Sequence, residues 1–225
     1  INECFADFRT NDNKFYYALG GIKAVGFDAI SNVVKERTEN GKFHSINDFL
    51  NRVNPKDMNK LQLEGLVKAG AFDNINNNRK ALFVNIPNII QHSKTIYENK
   101  HQNQTSLFSE DANKISYLMQ DKNLSNWSNS EKLSKEFESV GFYLSNHPLE
   151  DFKDTLIQYK TKNYKEFEDA NDYEAFVAGT VMSIKERKSS KGNPFAIVKF
   201  SDESKVFEIF LFSEILERNR EVLQP

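Results

Sequence analysis

Tyr17-Ala18-Leu19-Gly20-Gly21-Ile22-Lys23-Ala24-Val25-Gly26, with Phe27 to Arg37 behind it, is the stretch whose reading decides the fold. Ile30, Val33, Val34 and Arg37 recur at helical spacing. Asp28 stands in the first turn, where the helix dipole favours an anion, and Asn40-Gly41 supplies a stop. A short helix, a tight turn over Ile22 to Gly26 and a second helix make a helix-hairpin-helix. Such a hairpin sets backbone N–H groups beside a helix N-terminus, which together suit a phosphate. Lys23, Ala24, Val25 and Gly26 are the candidate contacts: Lys23 adds a point charge and Gly26 allows close backbone approach. No base edge is read in this way, so the binding expected is indifferent to sequence. The plainer alternative is a helix-turn-helix whose glycine serves only the turn.

Outward from this stretch, residues 1–20 carry Phe5, Phe8, Phe15 and Tyr16 without helical period, which predicts a loop or short strand. Ser45, with Asp48 three residues on, predicts a capped helix ending at Pro55. Leu63, Leu66 and Val67 predict the next helix, stopped at Gly70. Leu66-Val67-Lys68-Ala69-Gly70-Ala71-Phe72-Asp73 resembles a second, degenerate hairpin, with Lys68 and Gly70 as further phosphate contacts. Its other reading is a C-terminal glycine followed by a core phenylalanine. From Arg79, a longer helix carries Leu82, Phe83, Ile86, Ile89 and Ile90, with Pro87 expected to kink it.

Residues 98–128 are polar and weakly periodic, as a linker would be, except at Gln104-Thr105-Ser106-Leu107-Phe108. Two adjacent large apolar residues in such a setting suit a linear peptide that plugs into a partner, or else an anchor folding back onto its own domain. Ser130 is expected to cap a helix burying Leu133, Phe137 and Val140 and ending at Gly141. After Tyr173 the pattern changes. Phe176 to Ile184, Phe195 to Phe200 and Val206 to Phe212 read as three strands, followed by a helix capped by Ser213. An OB fold begins in this way, and the basic residues Lys185, Arg187, Lys188 and Lys191 fall where its first loop would contact a single strand. A charge run of this kind is also what an ordinary solvated loop looks like.

Composition narrows the classes. The formal charge is −2 and the pI near 6.2, which argues against a strongly basic nucleic-acid binder and makes any DNA contact a matter of local geometry. No apolar run reaches membrane-spanning length and no signal peptide opens the chain. The single cysteine, Cys4, fits a reducing cytoplasm. His44, His92, His101 and His147 are scattered without ligand spacing, so neither metal nor cofactor is expected in the chain itself. An independent glycosylase or nuclease would need a catalytic Lys-Asp pair or a metal cluster, and neither is legible. A scaffold whose hairpins serve protein contacts is a further alternative.

Four stretches in order resemble the alpha subunit of bacterial replicative DNA polymerase III, of the C family. They are Tyr17 to Gly26, Phe43-His44-Ser45-Ile46-Asn47-Asp48-Phe49, Leu66 to Asp73, and Gly141-Phe142-Tyr143-Leu144-Ser145-Asn146-His147-Pro148-Leu149. The chain opens on Ile1 and closes on Pro225, and so reads as a piece of that larger protein. The resemblance implies a tandem hairpin domain holding duplex DNA, a sliding-clamp motif at Gln104 to Phe108, and an OB domain near single-stranded template. It also implies a palm domain elsewhere that carries the catalytic acids and Mg2+, and other replisome subunits as partners. Ala24 departs from the glycine common in such hairpins. The expected class is α+β. An all-α tandem helix-hairpin-helix domain (1–97) leads to a linker with the clamp peptide (98–128), a helical connector (129–172) and a partial OB fold (173–225).

Overall fold

A computed structural model describes residues 1–11, 13–101 and 124–223. The chain is α+β and divides into two compact units, Ile1–Leu144 and Ser145–Pro225.

The first unit opens with a small antiparallel hairpin, β1 (Arg9–Asn11) and β2 (Lys14–Tyr16), and a 3-10 turn at Leu19–Gly21. α1 (Phe27–Asn40) follows and buries Ile30, Val33 and Arg37. Arg37 is buried, and its Nη1 donates to the carbonyls of Ile1 and Cys4. α2 (Ile46–Arg52) is capped by Ser45, whose hydroxyl accepts the Asp48 N–H; the Asp48 carboxylate takes the His44 N–H. α3 (Lys60–Lys68) begins with a complete capping box between Asn59 and Gln62. The expected long helix from Arg79 is two, α4 (Arg79–Val84) and α5 (Ile86–His101), separated at Asn85. Pro87 sits in the first turn of α5, where a missing N–H costs nothing, so it starts a helix instead of kinking one.

α6 (Asn129–Val140) packs into this first unit rather than standing in a connector. Ser128, not Ser130, is its cap: Ser128 and Glu131 form a capping box, and Gly141 ends the helix at φ = 91°. The core joins all these elements through Phe43, Phe49, Leu66, Leu82 and Ile86, with Phe43, Phe49 and Phe72 in successive edge-to-face contact. Each such side chain contributes roughly 1.5–3 kcal/mol on burial.

The second unit starts with a 3-10 turn at Pro148–Phe152, α7 (Lys153–Gln158) and α8 (Tyr164–Ala170). An antiparallel sheet follows in the order β3 (Thr180–Lys188), β4 (Pro194–Ser201), β5 (Val206–Phe212), then α9 (Ser213–Asn219). The three expected strands are present, with the first shifted four residues toward the C-terminus. Ser213 is the first residue of α9 and gives no cap; its hydroxyl donates to the Pro194 carbonyl. Ala196, Val198, Leu216 and Leu223 form the buried centre on one sheet face. Tyr164 stacks on Phe207 at 4.1 Å.

Candidate nucleic-acid interface

The first hairpin is built on two buried anchors, Ile22 and Val25, which turn Lys23, Ala24, Gly26, Phe27 and Asp28 to the surface. Ala24 takes φ = 64°, the left-handed conformation that a glycine adopts without strain. The turn the motif requires is therefore made despite the missing glycine. Gly26 has φ = −72°, so its backbone does not demand glycine. What favours glycine there is space: a Cβ would stand 3.2 Å from Gln62 Nε2.

The N–H groups of the turn divide cleanly. Lys23 donates to the Ser139 carbonyl near the end of α6, and Val25 donates to the Ile22 carbonyl. The N–H groups of Ala24, Gly26, Phe27 and Asp28 have no acceptor among the described residues, and these residues are exposed. They include the leading donors of α1, at the positive end of a 14-residue helix. Lys23 is exposed and has no ion pair among the described residues. Asp28 places a carboxylate in the same first turn and opposes an anion there.

The turn is fixed from behind by α3. Gly65 approaches so closely that a Cβ on it would stand 2.7 Å from the Lys23 carbonyl oxygen and 3.2 Å from Ile22. A glycine inside a helix costs about 1 kcal/mol relative to alanine, and here it purchases this contact. The sequence reading missed Gly65 and Gln62. An isolated glycine in a helical pattern, and the Asn59–Gln62 capping spacing, were the available signals.

At the second expected hairpin the candidate phosphate contacts have partners within the chain. Gly70, at φ = 73°, ends α3 in a Schellman arrangement: Ala71 N–H donates to Leu66 O and Gly70 N–H to Val67 O. A Cβ on Gly70 would collide with the Arg79 guanidinium, which packs against it. Arg79 is held in a fork by Asp73 (2.7 and 2.8 Å) and bonds Glu136 at 2.8 Å, and the Glu136 side chain is fully buried. Burial works against the Arg79 charge, but the two carboxylates outweigh it and hold the guanidinium above its ordinary range. Lys68 is committed to Glu138 at 2.6 Å, and this ammonium holds the Glu138 carboxyl below its usual range. Phe72 is core. Lys68 thus serves an ion pair and Gly70 a helix end in this structure.

In the second unit the expected basic loop is mostly strand. Lys185, Arg187 and Lys188 lie within β3, and only Lys191 lies in the tight turn that closes on Ser189 and Asn193 with Gly192 at φ = 81°. Side chains alternate along a strand and align across it. Lys185 therefore shares a face with Ile197 and Phe210, and Arg187 with Phe195 and Phe212, whereas Lys188 projects from the other face. Phe210 and Phe212 are 54% and 68% exposed, so this face combines aromatic rings with cations. Gln104, Thr105, Ser106, Leu107 and Phe108 lie outside the described residues.

Among the described residues no three His, Cys, Asp or Glu side chains are grouped to hold a metal ion, and no helix is long and apolar enough to cross a membrane.

Residues 1–82 match the family model of a helix-hairpin-helix motif. The chain is also similar over its whole length to DNA polymerase III subunit alpha of several bacteria. The protein of Caulobacter vibrioides is 34% identical over 228 residues, covering 100% of this chain and 20% of the relative. That of Borreliella burgdorferi is 33% identical, covering 99% and 20%. That of Campylobacter jejuni is 31% identical, covering 100% and 19%. The chain spans about a fifth of the length of these curated relatives.

Proposed function

We infer that this chain, homologous along its full length to a segment of the bacterial DNA polymerase III alpha subunit, holds duplex DNA for a replicative polymerase by gripping its phosphodiester backbone. The observation that carries the reading is the set of exposed, unengaged N–H groups of Ala24, Gly26, Phe27 and Asp28 at the start of α1. Donors of this kind act on any sequence, as a moving polymerase requires. A chain of net charge −2 gains little from long-range attraction, so the contact is weak alone and works as one anchor among several. Duplex affinity of wild type against Gly26→Val tests it, with folding of the variant measured alongside because its Cβ crowds Gln62: the larger side chain keeps the phosphate away and affinity falls.

Two further contacts belong to the same proposal. The second unit is the start of an OB fold, whose face bearing Lys185, Arg187, Phe210 and Phe212 takes single-stranded template by stacking and charge. Gln104-Thr105-Ser106-Leu107-Phe108 docks as an extended peptide into the sliding clamp, with Leu107 and Phe108 as apolar anchors. Changing Leu107 and Phe108 together to Ala is expected to abolish clamp capture in a pull-down and to leave duplex affinity unchanged; retained capture would contradict the assignment. The catalytic chemistry, and the Mg2+ it uses, are assigned to parts of the parent polymerase other than this chain.

A further inference from the structure

We propose that the side-chain amide of Gln62 is a donor of the phosphate site at the start of α1, so that α3 lends a hydrogen bond to a ligand held mainly by α1. The proposal rests on the reading of that site as a phosphate site and adds a specific contact to it. Gln62 is only 6% exposed, but its amide nitrogen is not among the fully buried side-chain atoms without a partner, so it keeps access to the surface. Its orientation is fixed by chemistry. The Asn59 N–H donates to Gln62 Oε1 at 2.9 Å and the Gln62 N–H returns to Asn59 Oδ1 at 3.0 Å, so the oxygen end of the amide is engaged. The NH2 end is then the one that turns toward Gly26, where a Cβ would stand 3.2 Å from Nε2. Nε2 has no acceptor among the described residues.

The donors therefore come from two elements, Gly26, Phe27 and Asp28 N–H from the start of α1 and Nε2 from the first turn of α3, with Nε2 beside Gly26. The absent side chain at Gly26 is what leaves the path between them open. An amide is a neutral donor, so it adds a directed hydrogen bond to an anionic oxygen without adding charge. This also compensates in part for Asp28, which stands in the same turn and repels an anion.

The test uses the 225-residue chain and a short duplex of mixed sequence. In nitrogen–proton correlation spectra, the Gln62 side-chain NH2 signals are expected to move on titration together with the backbone amides of Gly26 to Asp28. Gln62→Glu keeps an oxygen for the Asn59 cap while exchanging the donor for a carboxylate, and is expected to weaken binding about tenfold. Leu61→Glu adds the same charge one residue away at a position 61% exposed, and is expected to weaken it far less. If the backbone amides move and the Gln62 NH2 does not, or if Leu61→Glu matches Gln62→Glu, the proposal is wrong and the site stands without it. If neither set of signals moves, the phosphate site itself falls as well.

Discussion

Ala24 holds a left-handed backbone at φ = 64°, and the cost of that conformation to a residue with a Cβ is borne by the two buried anchors on either side of it, Ile22 and Val25. Ala24→Gly relieves the steric term but gives the unfolded chain more freedom, so the net gain is expected to be about 1 kcal/mol. Thermal unfolding checks it: a midpoint a few degrees higher is expected, and a lower one would mean that the turn is not strained. His147 offers a second test at this scale. Its Nδ1 accepts the Leu149 N–H and its Nε2 bonds the Ser201 hydroxyl at 2.9 Å, a pattern that needs the neutral ring. Burial pushes the His147 pKa below its ordinary 6.5, against a smaller opposing pull from Asp202. A depressed folded pKa means the unfolded chain protonates first as pH falls. The stabilisation is therefore complete above pH 6.5 and is lost on acidification through the lower folded pKa. Unfolding of the second unit, followed between pH 7.5 and 5, is expected to show this decline, and His147→Asn to flatten it.

At the scale of elements, local patterns were legible and distant pairings were not. Ser45, Gly70 and Gly141 mark helix ends in the sequence and do so in the structure. Ser128-Asn129-Ser130-Glu131 contained the correct cap, since only Ser128 has an acid at the capping-box spacing. Pro87 was misplaced because a proline in a first turn and a proline in a kink look alike until Asn85 is known to interrupt the helix. The ties between elements had no local signature. Lys23 N–H meets Ser139, Gly65 meets the Lys23 carbonyl, and Arg79 meets Glu136 across 57 residues. That last pair locks α4 and α6 together behind the end of α3. Arg79→Met would leave the Glu136 carboxylate buried and without this cation, and is expected to cost about 3–5 kcal/mol. Denaturant unfolding of the first unit measures it, and a loss below about 1 kcal/mol, the range of an exposed ion pair, would show that Glu136 is compensated elsewhere.

On the scale of the whole molecule, the sequence conveyed the α+β class and the three-stranded segment that follows the helices, because periodicity switches after Tyr173. It conveyed the first hairpin as a site, but it also assigned phosphate contact to Lys68 and Gly70, which folding commits to Glu138 and to the cover of Arg79. A glycine near a lysine reads alike in both hairpins; what separates them is whether the surrounding N–H groups already have acceptors. The central claim is that the free N–H groups at the start of α1 hold a DNA phosphate. The most direct test is a salt titration of mixed-sequence duplex binding to wild type, Lys23→Ala and Gly26→Val. The account predicts log affinity falling linearly with log salt by about 0.9 per phosphate neutralised, a slope smaller by about 1 in Lys23→Ala, and loss of most affinity in Gly26→Val. Binding that ignores salt, or a folded Gly26→Val that binds as wild type does, would contradict it.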